Sequence, residues 1–567
     1  MRDQHTRRST MPHSSRYTII QMRRRSLSEW LAGVVWIIVL FILLEYIFSS
    51  FQENEVQAAA LAGALFIGVL LAGIITQIVR NVEARAPKDF HQETPCVDAD
   101  DDFSCEEAEQ PEKSSRRDFF QAMGMAGVTL GVGGVAGLAA SGTALGPAMS
   151  GGVYRRPWWV RQVDQPTLGI DWEMIHRVNA ARDTLAVEGL GRFASPEENR
   201  RLQKLWSENE LNRLAVNEPG YTLKDIALAN AFRSARNVMD RTFLGPQRAP
   251  RPQGLGVGRW DASPEENARL IKTAMQQMGA ALVGVVELNE RTRKLIYSVD
   301  NDGKRLEFDD VQEPYEDQGK RVIPYGARWV IVYAVQMSDI ALKRAPTKIA
   351  QMTTHEAYQR GLMIQNNLQE FLRGLGYQGL GEANLNGLGI APALAVVAGL
   401  GELSRLNRLI TPEFGPMVRI FKLITDFPLA PDKPIDAGIA RFCRACKKCA
   451  EACPPSALSF ETEPGWQPVG EWGNSGHQAW FEDSVRCKRY WYEELGTNCG
   501  ICFSVCPFSK RNRSFMHDLI RMQVATFPQL HGLVRNMDDA FGYGIQKAPE
   551  DWWNLDLPEY GIDTHKG

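Results

Sequence analysis

Eight cysteines crowded into residues 443–506 constrain this chain more than any other feature. They read Cys443-x2-Cys446-x2-Cys449-x3-Cys453-Pro454, then Cys487-x11-Cys499-x2-Cys502-x3-Cys506-Pro507. The first run has the spacing that wraps thiolates round a [4Fe-4S] cube. The second keeps the C-x2-C-x3-C-P core, with its remaining cysteine displaced upstream. Where two such runs lie together, the fourth cysteine of each ligates the other cube. This rule assigns Cys443, Cys446, Cys449 and Cys506 to cluster one, and Cys453, Cys487, Cys499 and Cys502 to cluster two. Disulfides or zinc sites also use cysteine, but neither accounts for two C-x2-C-x3-C-P runs. Two such clusters move single electrons, so the sequence reads as that of a redox protein.

At 567 residues the chain is too long for one ordinary domain. A formal net charge of -3 points away from a nucleic-acid-binding surface. Cys96 and Cys105 are the two cysteines outside the runs. They lie in an acidic stretch and read as idle thiols of a linker.

Ahead of that stretch stand two apolar segments. Residues 31–48 are apolar except for Glu45, and residues 58–79 carry no charge. Each is long enough to cross a hydrocarbon core of about 30 Å as a helix. Arg16, Arg23, Arg24 and Arg25 precede the first, while the connecting loop holds Glu53 and Glu55. The positive-inside rule then places the N-terminus in the cytoplasm. After the acidic linker comes Ser115-Arg116-Arg117-Asp118-Phe119-Phe120, followed by a Gly/Ala-rich apolar stretch to about Ala144. This is the pattern of a twin-arginine export signal, a route for proteins that fold before crossing. The expected organisation is a membrane anchor over 1–85, an acidic linker over 86–113 and a signal with a third hydrophobic segment over 114–150. A large domain over 151–436, a cysteine module over 437–515 and an extension over 516–567 complete it. The unit from 151 onward is expected on the outer side of the cytoplasmic membrane.

Within the large domain, Ser263 and Pro264 mark a helix start ahead of the periodic run 265–278. Residues 281–287 and 328–337 read as buried strands, and 353–374 as a long helix stopping at Gly374. Helices alternating with apolar strands predict an α/β sandwich. No G-x-G-x-x-G opens a βαβ unit, no G-x4-G-K-[ST] and no H-E-x-x-H is present, and no histidine stands in a D-x-H-x-x-G context. Any electron acceptor beside the clusters is therefore of another kind.

Further residues carry a resemblance. Arg156-Pro157-Trp158-Trp159-Val160, Pro219-Gly220-Tyr221-Thr222-Leu223 and Arg321-Val322-Ile323-Pro324 are followed by Phe371-Leu372-Arg373-Gly374-Leu375-Gly376-Tyr377. Ala398-Gly399-Leu400-Gly401-Glu402 and Thr425-Asp426-Phe427-Pro428-Leu429 then lead into the first cysteine. In order and content this resembles the respiratory reductive dehalogenases over about 115–515, here with an anchor fused ahead of the signal.

The resemblance implies a nitroreductase-like α+β core that binds a base-off corrinoid of the cobalamin type. It also implies a ferredoxin-like module with two [4Fe-4S] clusters and a small organohalide substrate. Electrons would come from a membrane donor linked to quinol, and a homodimer is allowed. It points to Tyr358 as proton donor, to Arg419 as the cation that steadies the phenolate, and to Asn384 as an orienting group, with Asn386 as the alternative alignment. A phenol ordinarily titrates near 10, and arginine keeps its charge at any working pH. Gly399, Gly401 and Arg405 are expected at the corrinoid rim, where glycine lets backbone approach closely. Trp158 and Trp159 read as ordinary core. Two other readings use the same cysteines: a membrane-anchored ferredoxin-like carrier with no substrate, and a corrinoid/iron–sulfur reductase of a non-halogenated substrate, like epoxyqueuosine reductase.

Overall fold

The apolar runs form the sheet at the centre of the domain. The computed structural model describes residues 156–180, 190, 193–237, 241–510 and 515–562. The expected membrane segments, the acidic linker with Cys96 and Cys105, and the twin-arginine segment lie outside the described residues. Among the described residues no helix is long and apolar enough to cross a membrane. Arg155–Gly567 form one unit, so the cysteine module shares it with the residues before it.

The principal elements, in chain order, begin with helices α1 (Pro196–Ala215), α2 (Leu223–Asn237) and α3 (Pro264–Gln277). Strands β1 (Leu282–Glu287) and β2 (Trp329–Gln336) lead to the long helix α4 (Lys348–Leu375). Then come β3 (Gly379–Leu380), α5 (Ala391–Val397) and β4 (Val418–Thr425). The strands order β1-β2-β4-β3, and every neighbouring pair is antiparallel. The architecture is thus mixed helix and sheet about an antiparallel core.

Local chemistry explains the helix ends. Ser263 accepts from the Glu266 amide at 3.2 Å, Pro264 follows it, and Glu265 and Glu266 complement the first turn of α3. Helix α4 begins earlier than the spacing predicts, because Thr347 caps it through the Ala350 amide at 3.3 Å. It closes at Gly376, with φ +92°, rather than at Gly374.

Both faces of the sheet are covered, so β2 needs no polar alternation. Val330, Val332 and Ala334 enter one core with Leu282, Val286 and the α5 residues Leu394 and Ala395. Ile331, Tyr333 and Val335 enter the other with Phe421, Leu423 and the α4 residues Ile364, Leu368 and Leu372. Each fully buried side chain of this kind contributes roughly 1.5–3 kcal/mol by leaving water. Ala229 of α2 and Trp552 of the C-terminal extension pack on α4 at Ile349 and Met352.

The contact between α4 and β4 is unusually close at one point. A methyl group on Gly361 would stand 2.0 Å from the Phe421 ring. Tyr333, opposite Phe421 in the register, stacks on it at 5.3 Å and donates its hydroxyl to the Gly361 carbonyl at 2.9 Å. Alanine at an unconstrained mid-helix glycine stabilises by roughly 0.5–1 kcal/mol. Here the clash reverses the sign, and Gly361→Ala is expected to destabilise by about 1–3 kcal/mol. A denaturation midpoint at or above that of the parent chain would show that the gap is not tight.

Candidate active site and cluster ligands

Five of the eight cysteines are carried by short helices, three of which are entered through left-handed residues. Cys443 and Cys446 lie on α6 (Ile439–Cys446), and Cys449 on α7 (Lys448–Glu451). Lys447 between them has φ +50°. Cys487 lies on α8 (Ser484–Tyr490), and Cys502 on α9 (Ile501–Ser504), after Gly500 at φ +83°. Cys443, Cys446, Cys449 and Cys506 are buried together in one core. Cys453, Cys487, Cys499 and Cys502 instead line one small cavity of about 110 Å³.

Burial pushes these thiols up, Cys443 to about 11 and Cys446 and Cys499 to about 12. Neighbouring cysteines push the same way. Cys449 feels Cys443, Cys506 and Cys446, and Cys502 feels Cys499 and Cys453. Thiols so buried become thiolates when a cationic metal core stabilises them. Among the described residues no three His, Cys, Asp or Glu side chains converge tightly enough for a single ion. A cube, with an iron at each thiol, suits sulfurs spread round a cavity. Cys502 also reaches Cys449 and Cys506 electrostatically, so the two groups are neighbours.

Three expected corrinoid contacts are placed elsewhere. A methyl on Gly399 would meet the Lys433 carbonyl at 2.2 Å, and one on Gly401 the Ile410 carbonyl at 2.2 Å. The close approach these glycines allow is therefore to the chain's own backbone. Arg405 is 1% exposed and faces the cysteine module. It donates to the Cys443 carbonyl through Nε at 3.0 Å and Nη2 at 2.8 Å, and through Nη1 to the carbonyls of Ser459 at 2.7 Å and Glu461 at 2.6 Å. Its guanidinium lies over Trp480 at 4.9 Å. Sequence reasoning also passed over Glu402, whose carboxylate accepts from the amides of Ala437, Ile439 and Ala440 at 2.7, 3.0 and 3.2 Å. An anion at the start of α6 meets the positive end of that helix, while burial pushes its carboxyl up. Its only sequence signal is an acid beside two glycines and ahead of the first cysteine.

A larger cavity of about 730 Å³ opens beside the small one, within the usual size range of cofactor sites, about 300–1,000 Å³. Tyr358, Asn386 and Arg419 line it. Tyr358, on α4, donates its hydroxyl to Asn386 Oδ1 at 3.2 Å and meets the edge of Phe421 at 5.9 Å. Arg419, on β4, holds its guanidinium 5.4 Å from the Tyr358 ring centre. Thr354, one turn before Tyr358, accepts from Arg419 Nη2 at 3.1 Å, and Arg419 Nε is buried with no hydrogen-bond partner. Asn384 does not join this group. It stands beside Asp302, where partial burial raises the carboxyl but the Arg321 guanidinium outweighs it and holds the group down at about 2, and Asn384 Nδ2 is buried with no hydrogen-bond partner. The loop between them turns through Asn386 at φ +59° and Leu388 at φ +60°, which aims position 386 at the tyrosine. Trp159 is buried with Leu168 and Ile435, as expected, whereas Trp158 is 54% exposed.

The two cavities share wall residues: Arg408, Arg419, Glu482 and Phe503 line both. The thiols of Cys453, Cys487, Cys499 and Cys502 are therefore the group next to Tyr358. Arg405→Met would remove both Arg405 donors from the buried Cys443 carbonyl, at about 1–3 kcal/mol, and would leave the Glu461 carbonyl with Trp480 Nε1 as its donor. The expected result is a lower melting temperature and less iron retained per chain. Unchanged values for both would show that Arg405 does not brace the module.

Known proteins share these regions. The family model described as "Reductive dehalogenase subunit" matches residues 155–305 and 298–429, and that described as "4Fe-4S double cluster binding domain" matches 442–509. Tetrachloroethene reductive dehalogenase of Sulfurospirillum multivorans is 37% identical over 316 residues, which cover 53% of this chain and 62% of that protein. Trichloroethene reductive dehalogenase of Dehalococcoides mccartyi is 27% identical over 560 residues, covering 79% of this chain and 98% of that protein. A solved reductive dehalogenase structure, described as suggesting a mechanism for B12-dependent dehalogenation, superposes with a TM-score of 0.52 at 23% identity, over 70% of this chain and 51% of that one. At that identity the superposition speaks for the fold alone. The first match takes in Tyr358, Asn386 and Arg419, and the second takes in all eight clustered cysteines; over both regions the chain is similar to the reductive dehalogenases.

Proposed function

We propose that this chain is a corrinoid-dependent reductive dehalogenase with two [4Fe-4S] clusters. The large cavity takes the corrinoid and a small organohalide, in a nitroreductase-like core. The observation that carries this reading is Tyr358, presented to a cofactor-sized cavity under Arg419, with four thiols behind the shared wall. Overall, two electrons and one proton turn a carbon–halogen bond into a carbon–hydrogen bond and release halide. The corrinoid, when bound, supplies the strongly reducing centre that this bond demands.

The chain's own residues do the rest. Tyr358 Oη holds the proton that goes to carbon, and Asn386 fixes the direction of that hydroxyl. Arg419 faces the ring and favours the phenolate left after transfer. Thr354 holds the guanidinium in that place. Cys453, Cys487, Cys499 and Cys502 would hold cluster two behind the shared wall, and Cys443, Cys446, Cys449 and Cys506 would hold cluster one; when bound, the two would supply single electrons. We extend the proposal to the N-terminal sequence: two membrane crossings and a twin-arginine signal put this unit on the outer face of the cytoplasmic membrane, where a quinol-linked donor supplies electrons.

Anaerobic purification after expression with corrinoid supply is expected to give about one cobalt and about eight iron per chain, as one corrinoid and two cubes require. Iron without cobalt in a folded chain would sink the dehalogenase mechanism and favour an electron carrier. With a low-potential dye and a panel of organohalides, Tyr358→Phe should lower kcat/KM by at least about 100-fold. Asn386→Ala should cost about 1.5 kcal/mol, or roughly tenfold. Asn384→Ala should leave kcat/KM within about threefold of the parent, about 0.5 kcal/mol, since its side chain lies away from Tyr358 and its Nδ2 makes no hydrogen bond that the change would remove. An Asn384 effect larger than that of Asn386 would reverse the assignment.

A further inference from the structure

We propose that Glu482 keeps the reduction potential of the cavity-facing cluster low, and that its partner Arg408 limits how low it falls. This rests on the reading that Cys453, Cys487, Cys499 and Cys502 hold a [4Fe-4S] cluster.

The placement is the first ground. Glu482 is 8% exposed and lines both cavities, as does Arg408. Arg408 Nη1 stands 2.6 Å from Glu482 Oε2. The backbone on either side of the pair is held firmly. Asp483, next in the chain, caps α8 through the Arg486 amide at 3.0 Å and donates its own amide to the Ala457 carbonyl at 2.9 Å. Arg408 is held from the other side, where its carbonyl accepts from the Ser404 amide at 3.1 Å and the Ser404 hydroxyl at 2.8 Å.

The second ground is charge. Glu482 and Arg408 line the same small cavity as Cys453, Cys487, Cys499 and Cys502, so both charges face the place where those thiols would hold the cluster. A buried carboxylate beside thiol ligands is costly, and a neutral side chain of the same shape would pack as well. What the carboxylate adds is a fixed negative charge. Reduction adds another negative charge to the cluster, and like charges repel most strongly where little water screens them. Charge, hydrogen bonding and exposure set the potential of an iron–sulfur cluster. The cluster thereby becomes the stronger donor toward the cavity that Tyr358 lines. Arg408 offsets part of the effect, so each residue moves the potential in its own direction.

The test uses the full-length, iron-loaded protein, prepared anaerobically and followed by electron paramagnetic resonance during a redox titration. In Glu482→Gln one cluster should become easier to reduce by about tenfold, about 59 mV for a one-electron couple, while the other stays in place. Arg408→Gln should shift the same cluster in the opposite direction. The double variant should return to within about threefold of the parent, because it removes a pair of opposite charges rather than one. A merely structural role would lower iron content in all three and shift neither midpoint in a charge-dependent way. Unmoved midpoints in a fully loaded Glu482→Gln protein would overturn the proposal. Should that variant fail to load iron, the absence of a downward shift in Arg408→Gln would overturn it equally. A parent chain that holds no cubes defeats the cluster reading itself, whatever the variants do, whereas missing cobalt leaves both midpoints measurable.

Discussion

Helix α4 lies on the sheet with no side chain at Gly361, and the geometry of the active site follows from that closeness. Phe421 fills the gap and touches three things at once: the helix backbone, Tyr333 in the neighbouring strand, and the edge of Tyr358. One turn of helix therefore sets where the phenol points. Two residues along the same strand from Phe421, Arg419 reaches the same ring from β4. The proposed donor, Tyr358, and the proposed cation, Arg419, thus come from two rigid elements locked by one aromatic contact, the kind of support that can hold a side chain to within a fraction of an ångström.

The second constraint is the burial of charge around the cysteines. Arg405, Glu402, Arg408 and Glu482 all lie close to the cluster ligands, and each meets a partner of fitting chemistry. Unpaired, any of them would cost several kcal/mol. Arg405 ties Cys443 to the 459–461 segment, and Glu402 ties the first cysteine helix to the sheet domain. The module is joined to the rest through ion pairs and capped amides as well as apolar packing. The glycines of Ala398-Gly399-Leu400-Gly401 serve chain crossings, which explains their small size without a ligand.

Much of the site's chemistry is legible in the linear order of residues, for reasons that are local. Cysteine spacing maps onto single helical turns, so the donor set shows directly in the sequence. Ser263-Pro264 announces α3 because capping involves residues three apart. The run at 328–337 reads as a strand because helices bury both of its faces. Other residues mislead for equally physical reasons. Asn384 and Asn386 are both plausible from order along the chain, and only the left-handed turn through 386 decides which meets Tyr358. Arg405 looks like a residue for a polar ligand, yet its donors are filled by carbonyls up to 56 residues away.

The ligand inventory, the principal helices and strands, and the kind of chemistry that eight thiolates in two C-x2-C-x3-C-P runs can support follow from the order of residues alone. Covalent spacing and periodicity act over a few residues and so show directly in the order of amino acids. Folding in three dimensions sets which thiols stand next to Tyr358, which asparagine holds its hydroxyl, and that Arg408 and Glu482 belong to the wall between two cavities. Those facts join positions from 354 to 503 through packing and buried charge, and distance in space between such residues is not written in their distance along the chain.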